Sequence, residues 1–316
     1  MSENKVIYDW LSVTSKIHSP FDFVALLGMS DVTWEETKGA HGYRDRLYYN
    51  GISVHYNGRE DMGVWLEMSG QGCRAFETYG NGDFENLFAE VKENPQDMHL
   101  TRLDVAFDDH DGILDMDVIC QDTLAGNFVS PSTYWEVIQS SKGQCVMIGA
   151  PSSSVLIRIY DKARERGLTD GKPWTRVELQ LRNDRARMFT ALPYSFGEKW
   201  CGVLLNYLRY VVPNPEDSNK SRWETTDYWL DLLWFASALS IYEKPGVDYN
   251  IMHCERYVFE MAGNAVDTLL NCYGIDEFLE QLKKRKPKPN PKYQRIVEQY
   301  QNMKKEKENY GNDQEN

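Results

Sequence analysis

A chain of 316 residues with 41% hydrophobic and 13% aromatic side chains has ample material for a core, which excludes general disorder and a small peptide scaffold. The length fits two domains, or one large domain with an appendage, and the six cysteines, with no C-x-x-C pair among them, read as buried reduced thiols rather than a disulfide framework or zinc ribbon. Net charge is −13, no run reaches the ~18–20 apolar residues of a membrane span, and the opening MSENKVIYDW lacks a signal-peptide layout, so a cytoplasmic protein with no membrane partner is expected.

Taken in chain order, residues 5–14 predict a strand and 21–27 a short helix. Between 43 and 68, aromatic and β-branched runs break at Asn50-Gly51 and Asn57-Gly58, so successive antiparallel strands are expected there. Helices follow over 72–79 and 84–92, a strand over 100–108 and a helix over 116–125. Residues 133–139, 144–148, 155–162 and 174–182 read as four more strands, because β-branched and aromatic residues alternate with polar ones between Gly, Pro and Ser breaks.

From Arg185 the apolar period becomes helical, over 186–191, 199–211, 226–239 and 255–282, with the polar stretch PNPEDSNKSR at 213–222 as a linker. Pro287, Pro289 and Pro291 break the last helix. The fold class expected is α+β: an antiparallel β-sheet with helices on one face, followed by a mostly helical C-terminal region. The chain is divided into a sheet domain over 1–212, a helical extension over 213–286 and a basic, flexible tail over 287–316.

Three of these strands share one peculiarity. In Thr101-Arg102-Leu103-Asp104, Arg158-Ile159-Tyr160-Asp161-Lys162 and Arg176-Val177-Glu178-Leu179, functional groups stand two apart with aliphatic residues between them. Side chains at i and i+2 on a strand point the same way, so one sheet face presents Arg102, Asp104, Arg158, Tyr160, Lys162, Arg176 and Glu178. A solvated face laced with Arg–carboxylate pairs is one reading. The other is chemical: two converging carboxylates suit a hard divalent cation such as Mg²⁺ or Mn²⁺, arginines beside them suit a phosphate, and a tyrosine in that setting can act as a nucleophile.

The ordered set Tyr8-Asp9-Trp10-Leu11-Ser12-Val13-Thr14, Leu66-Glu67-Met68-Ser69-Gly70-Gln71-Gly72-Cys73-Arg74, Thr101 to Asp108, Val155 to Lys162, Trp174 to Leu179 and Asp217 to Trp223 resembles the replication initiation factor family. These are initiators of rolling-circle plasmids and phages, with related relaxases of conjugative elements. The resemblance implies metal-dependent, origin-specific nicking of one DNA strand and strand transfer through a 5′-phosphotyrosine intermediate, housed in residues 1–212. By matching motif, Tyr160 is the nucleophile with Lys162 beside it, Asp104 and Glu178 are the ligands of Mg²⁺ or Mn²⁺, and Arg158, Arg176, Arg102 and Arg74 face phosphate. Tyr48, Tyr49 and Tyr56 on neighbouring strands compete with Tyr160. Implied partners are origin DNA, single-stranded or extruded as a cruciform, a host helicase and a second copy of the chain.

No His-hydrophobic-His motif of the better-known rolling-circle nucleases occurs, and each histidine reads as an ordinary residue, with His55 and His110 the two to inspect. Gly70-Gln71-Gly72 is either a phosphate-approaching loop or a tight strand-to-helix turn. Residues 283–307 carry +8 and 308–316 carry −3, which leaves −18 on residues 1–282. An acidic body argues against broad coating of DNA, so nonspecific attraction is expected from the basic tail if that tail does more than solubilise. The rival readings are a non-catalytic DNA-binding regulator of the same fold and a metal nuclease that uses water.

Overall fold

The computed structural model describes residues 4–168, 171–238 and 263–284, with single positions at 258, 297 and 301. The chain divides into two compact units, Met1–Lys244 and Pro245–Asn316.

The first unit is built on a ten-stranded antiparallel sheet. In chain order its elements are β1 (Lys5–Ser15), α1 (Pro20–Leu26), β2 (Glu35–Lys38), β3 (Asp45–Tyr49), β4 (Ile52–Tyr56), β5 (Val64–Met68), α2 (Gly70–Tyr79), α3 (Phe84–Glu93) and β6 (Met98–Asp109). Then come α4 (Met116–Leu124), β7 (Phe128–Val129), β8 (Trp135–Ser140), β9 (Gly143–Ile148), β10 (Val155–Asp161), α5 (Lys162–Glu165), β11 (Thr175–Arg182), α6 (Asp184–Ala191), α7 (Phe196–Tyr207), β12 (Arg209–Tyr210) and α8 (Asp227–Ala238). The large sheet runs β2-β3-β4-β5-β1-β6-β11-β10-β9-β8, and β12 pairs separately with β7.

Alternation along the strands divides the sheet into two faces. Leu11, Val13, Leu66, Leu103, Val105, Phe107, Ile157, Ile159, Val177 and Leu179 are buried on one of them. Helices cover that face because their own apolar stripes need it: Cys73 and Phe76 of α2, Phe84, Leu87 and Phe88 of α3, and Trp200 of α7 join the same core. The Trp200 ring lies 5.5 Å from Phe107, and its N–H donates to the Val105 carbonyl at 3.2 Å. The other face carries Arg102, Asp104, Arg158, Tyr160, Arg176 and Glu178.

Local signals explain most element ends. Ser19 caps α1 in a reciprocal box with Asp22, ahead of Pro20. Asn50 and Gly51 take φ of 41° and 90° between β3 and β4, the left-handed pair a two-residue hairpin requires. Asn57 is also left-handed, but its connection is no tight hairpin: it runs on to Gly63, where a Cβ would meet the Ser15 carbonyl at 2.2 Å.

Several expectations are corrected. The helix expected over 199–211 stops at Tyr207, because Leu208 is extended and Arg209 and Tyr210 pair with Val129 and Phe128. The polar strand β2 lacks the apolar alternation that would have announced it. Residues 213–222 are a tied loop rather than a linker. Asp217 accepts from Arg222 Nε at 2.7 Å, Lys220 Nζ donates to the Gly126 carbonyl at 2.6 Å, and Val212 N–H to the Glu224 carbonyl at 2.8 Å. Since Trp229 of α8 is fully buried and packs 5.0 Å from Tyr210, the first unit continues past residue 212.

In the second unit, α9 (Gly263–Lys284) is helical on either side of Gly274, whose φ of 74° breaks the expected continuous helix. Residues 255–257 and 259–262 of that expected helix, and almost all of the basic stretch beyond Lys284, lie outside the described residues.

Candidate active site

On the face opposite Trp200 and the α3 core residues, β10, β11, β6 and β1 lie side by side and their registers bring the functional groups together. Arg158 stands opposite Glu178, Tyr160 opposite Arg176, Gln180 opposite Asp104, and Asp104 opposite Trp10. Asp9, Trp10, Arg102, Asp104, Arg158, Tyr160, Lys162 and Glu178 line one cleft of about 620 Å³, with Lys142 and Arg166 among the cations that also line it.

Tyr160 donates its phenolic hydrogen to Glu178 Oε2 at 3.1 Å, and Arg158 Nη2 donates to Glu178 Oε1. Burial and the Glu178 charge push the Tyr160 phenol well above its ordinary range, against the opposing pull of Arg176 and Arg158. Lys162 opens α5 just after Tyr160, where Asp161 turns the chain by accepting the Arg164 N–H at 2.8 Å. Its buried ammonium lies 5.3 Å from the Tyr160 ring centre and 2.9 Å from Glu165 Oε2.

Asp104 is clamped by Arg102, with Nε at 2.9 Å and Nη2 at 2.5 Å. Burial, against those hydrogen bonds and with the Glu178 charge nearby, pushes Asp104 up to about 7. Ionising Asp104 is thus unfavourable in the protein alone, and a cation beside it would relieve that cost. Gln180 adds a buried amide nitrogen without a hydrogen-bond partner among the described residues. Also among the described residues, no group of three or more His, Cys, Asp or Glu is placed to enclose a metal ion. Asp104 and Glu178, which both line the cleft, are the residues that could hold a hard cation completed by waters and phosphate oxygens.

Two of the expected phosphate-facing arginines are engaged elsewhere. Arg176 is 3% exposed and forks onto Asp108 at 2.6 and 2.8 Å, while its third nitrogen reaches Asp9 at 2.7 Å. Asp108, although burial would raise it, is held below the usual carboxylate range by Arg176 and the Trp174 N–H. Arg74 lies outside the cleft lining and binds the Tyr8 carbonyl and Glu77, each at 2.8 Å. Arg102 and Arg158, more exposed than Arg176, keep edges toward the cleft.

Tyr160 is the one tyrosine among the described cleft-lining residues. Tyr49 and Tyr56 pack against the helix-covered core, and four strands separate Tyr48 on β3 from β11. His55 stacks on Trp65 at 4.7 Å and His110 lies 5.0 Å from Trp174, both outside the cleft lining. Gly70–Gly72 form the first turn of α2, capped by Ser69, and Ser69, Gly70 and Gln71 line the cleft. A Cβ at Gly72 would sit 2.3 Å from the Gly51 carbonyl, and one at Gly70 would sit 2.5 Å from Asp9 Oδ1. Asp9, Trp10, Asp108 and Gln180 were not among the expected site residues. Asp108 and Gln180 continue the i+2 rows, whereas a register shift at Asp9 hides the phase of β1.

Comparison with known proteins identifies the family and the fold. Residues 98–282 match the model for the replication initiation factor family, and residues 5–88 match that for the rolling-circle replication initiation protein N-terminal domain. The putative DNA relaxase NicK of Bacillus subtilis is 26% identical over 265 residues, covering 76% of this chain and 74% of the relative. A solved rolling-circle replication initiator protein from Geobacillus stearothermophilus superposes with a TM-score of 0.68 at 29% identity, over 76% of this chain and 99% of that one. No helix among the described residues is long and apolar enough to cross a membrane.

Proposed function

Since this chain belongs to the replication initiation factor family, we propose that it nicks one strand at an origin and transfers it through a covalent tyrosine linkage. The observation that carries the reading is that β10, β11 and β6 deliver Tyr160, Glu178 and Asp104 to one cleft, with the phenol already hydrogen-bonded to a carboxylate.

Tyr160 Oη attacks the scissile phosphorus; the Oη–P bond forms as the P–O3′ bond breaks. The phenolic proton leaves through the hydrogen bond to Glu178, and the departing 3′ oxygen takes a proton from water at the mouth of the cleft. The 5′ phosphate stays on Tyr160 until a 3′-hydroxyl reverses the step. Arg158 and Lys162, 5.7 and 5.3 Å from the Tyr160 ring centre, favour the negative charge that builds on the phenolic and phosphoryl oxygens. Asp104 and Glu178 would hold Mg²⁺ or Mn²⁺, which when bound polarises the phosphoryl oxygens as a Lewis acid. On this reading the substrate is origin DNA, single-stranded or extruded as a cruciform, and a host helicase and a second copy of the chain are its partners.

The test is incubation with Mn²⁺ and 3′-labelled single-stranded oligonucleotides tiling the neighbouring genome, followed by denaturing electrophoresis. Label migrating with the protein is the expected result. Cleavage without an adduct would assign the attack to water, and binding without cleavage would make the protein a non-catalytic DNA binder.

A further inference from the structure

β1 contains an irregularity that the nicking chemistry does not explain. Tyr8 stands opposite Val105 on the buried face, yet Trp10, two residues on, stands opposite Asp104 on the cleft face, because Asp9 is an extra residue in the pairing. Regular alternation would have sent both side chains to the core. Before the bulge, Tyr8 packs among Phe84 and Phe196 with ring centres 4.5 and 4.3 Å away; after it, Leu11 and Val13 resume the buried row. The bulge therefore turns one large aromatic out of the core and into the cleft, the re-aiming that bulges beside active sites provide.

What it presents there is a flat layer. The Arg102 guanidinium carbon lies 4.5 Å from the Trp10 ring centre while the same guanidinium forks onto Asp104, so indole, guanidinium and candidate metal ligand are linked in sequence. Trp34, Trp65, Trp174, Trp200 and Trp223 each tie their N–H to an acceptor inside the protein. Trp10 is partly exposed, lines the cleft, and donates to no acceptor among the described residues.

We infer that Trp10, backed by Arg102, is a stacking shelf for one unpaired nucleobase flanking the scissile phosphate. A π-face beside a guanidinium accepts any base without reading its edges, and base–aromatic stacking is the usual sequence-tolerant anchor for single strands. The shelf would hold the strand in place while the origin's sequence is read elsewhere. It rests on the proposed single-strand substrate and adds a subsite to it.

The experiment measures binding of two probes by the full-length protein in Mn²⁺-free buffer: fluorescein-labelled dodecathymidylate, and the same sugar-phosphate length with every base removed. Trp10→Leu should weaken dodecathymidylate binding by about 5- to 100-fold, the loss of one stacked base, and leave the abasic probe within about twofold. Trp10→Phe should restore most of the difference. Equal weakening of both probes, or none of either, would overturn the shelf. Failure of the wild-type protein to bind any single strand would instead sink the substrate reading beneath it.

Discussion

The Tyr160 hydroxyl and the Glu178 carboxylate are joined by a 3.1 Å hydrogen bond between adjacent strands, with Arg158 on the other carboxylate oxygen. One acid thus faces both a proton donor and a permanent cation, and the site is pre-assembled around it. Tyr160→Phe should abolish cleavage and adduct formation while single-strand binding stays within about twofold, since the ring and its packing remain. Denaturing electrophoresis and a binding titration on the same preparation check this; undiminished adduct would move the nucleophile to another side chain.

Asp104 and Glu178 each sit beneath an arginine, so their importance to folding and to metal can be separated. Asp104→Asn and Glu178→Gln keep shape and lose charge. Each should weaken Mn²⁺ binding by at least about tenfold, because a hard cation with few protein ligands cannot spare one. Calorimetric titration reads the affinity directly. Unchanged binding in both variants would reduce the pair to structural partners of Arg102 and Arg158.

How far the sequence foretold this arrangement depends on how regular each strand is. The i, i+2 rows of β6, β10 and β11 are regular, so Asp104, Tyr160 and Glu178 could be placed on one face from spacing alone. β1 could not be phased, because the extra residue at Asp9 switches its alternation midway. The engagement of Arg176 was equally hidden: its carboxylates come from β6 and β1, and only pairing order reveals that Asp108 is opposite it. The end of α7 was misplaced because Arg209 is drawn out of the helical path by the carbonyls of Ser221 and Trp223, partners far along the chain.

His55 gives a pH signature away from the cleft. Burial, with Arg46 and His41 nearby, holds its imidazole down at about 4, against an ordinary value of 6.5. Between those values the unfolded chain binds the proton and the native protein does not, so stability falls as pH drops from about 6.5 toward 4. The loss is at most about 3.5 kcal/mol at about 1.4 kcal/mol per unit. Urea unfolding from pH 7 to 4.5 should show a smaller acid loss in His55→Phe, which keeps a ring against Trp65. Parallel curves would exclude His55 as the cause.

Arg176 tests whether a site arginine serves the ligand or the scaffold. Its Nε and one terminal nitrogen bind Asp108 and its other terminal nitrogen binds Asp9, tying β11 to β6 and β1 beside Tyr160. Breaking a buried pair strands its partners, so Arg176→Met should cost about 3–5 kcal/mol in urea unfolding. Arg176→Lys keeps the charge but loses the fork, and should be destabilised less. A role in holding phosphate predicts something different: the slope of log K against log salt for single-strand binding would shrink by about 0.7 for each phosphate no longer neutralised. With its donors directed inward, Arg176→Lys should leave that slope unchanged while Arg158→Gln reduces it. A reduced slope in Arg176→Lys at undiminished stability would return Arg176 to the DNA-facing set and make its bonds to Asp108 and Asp9 a resting arrangement that DNA displaces.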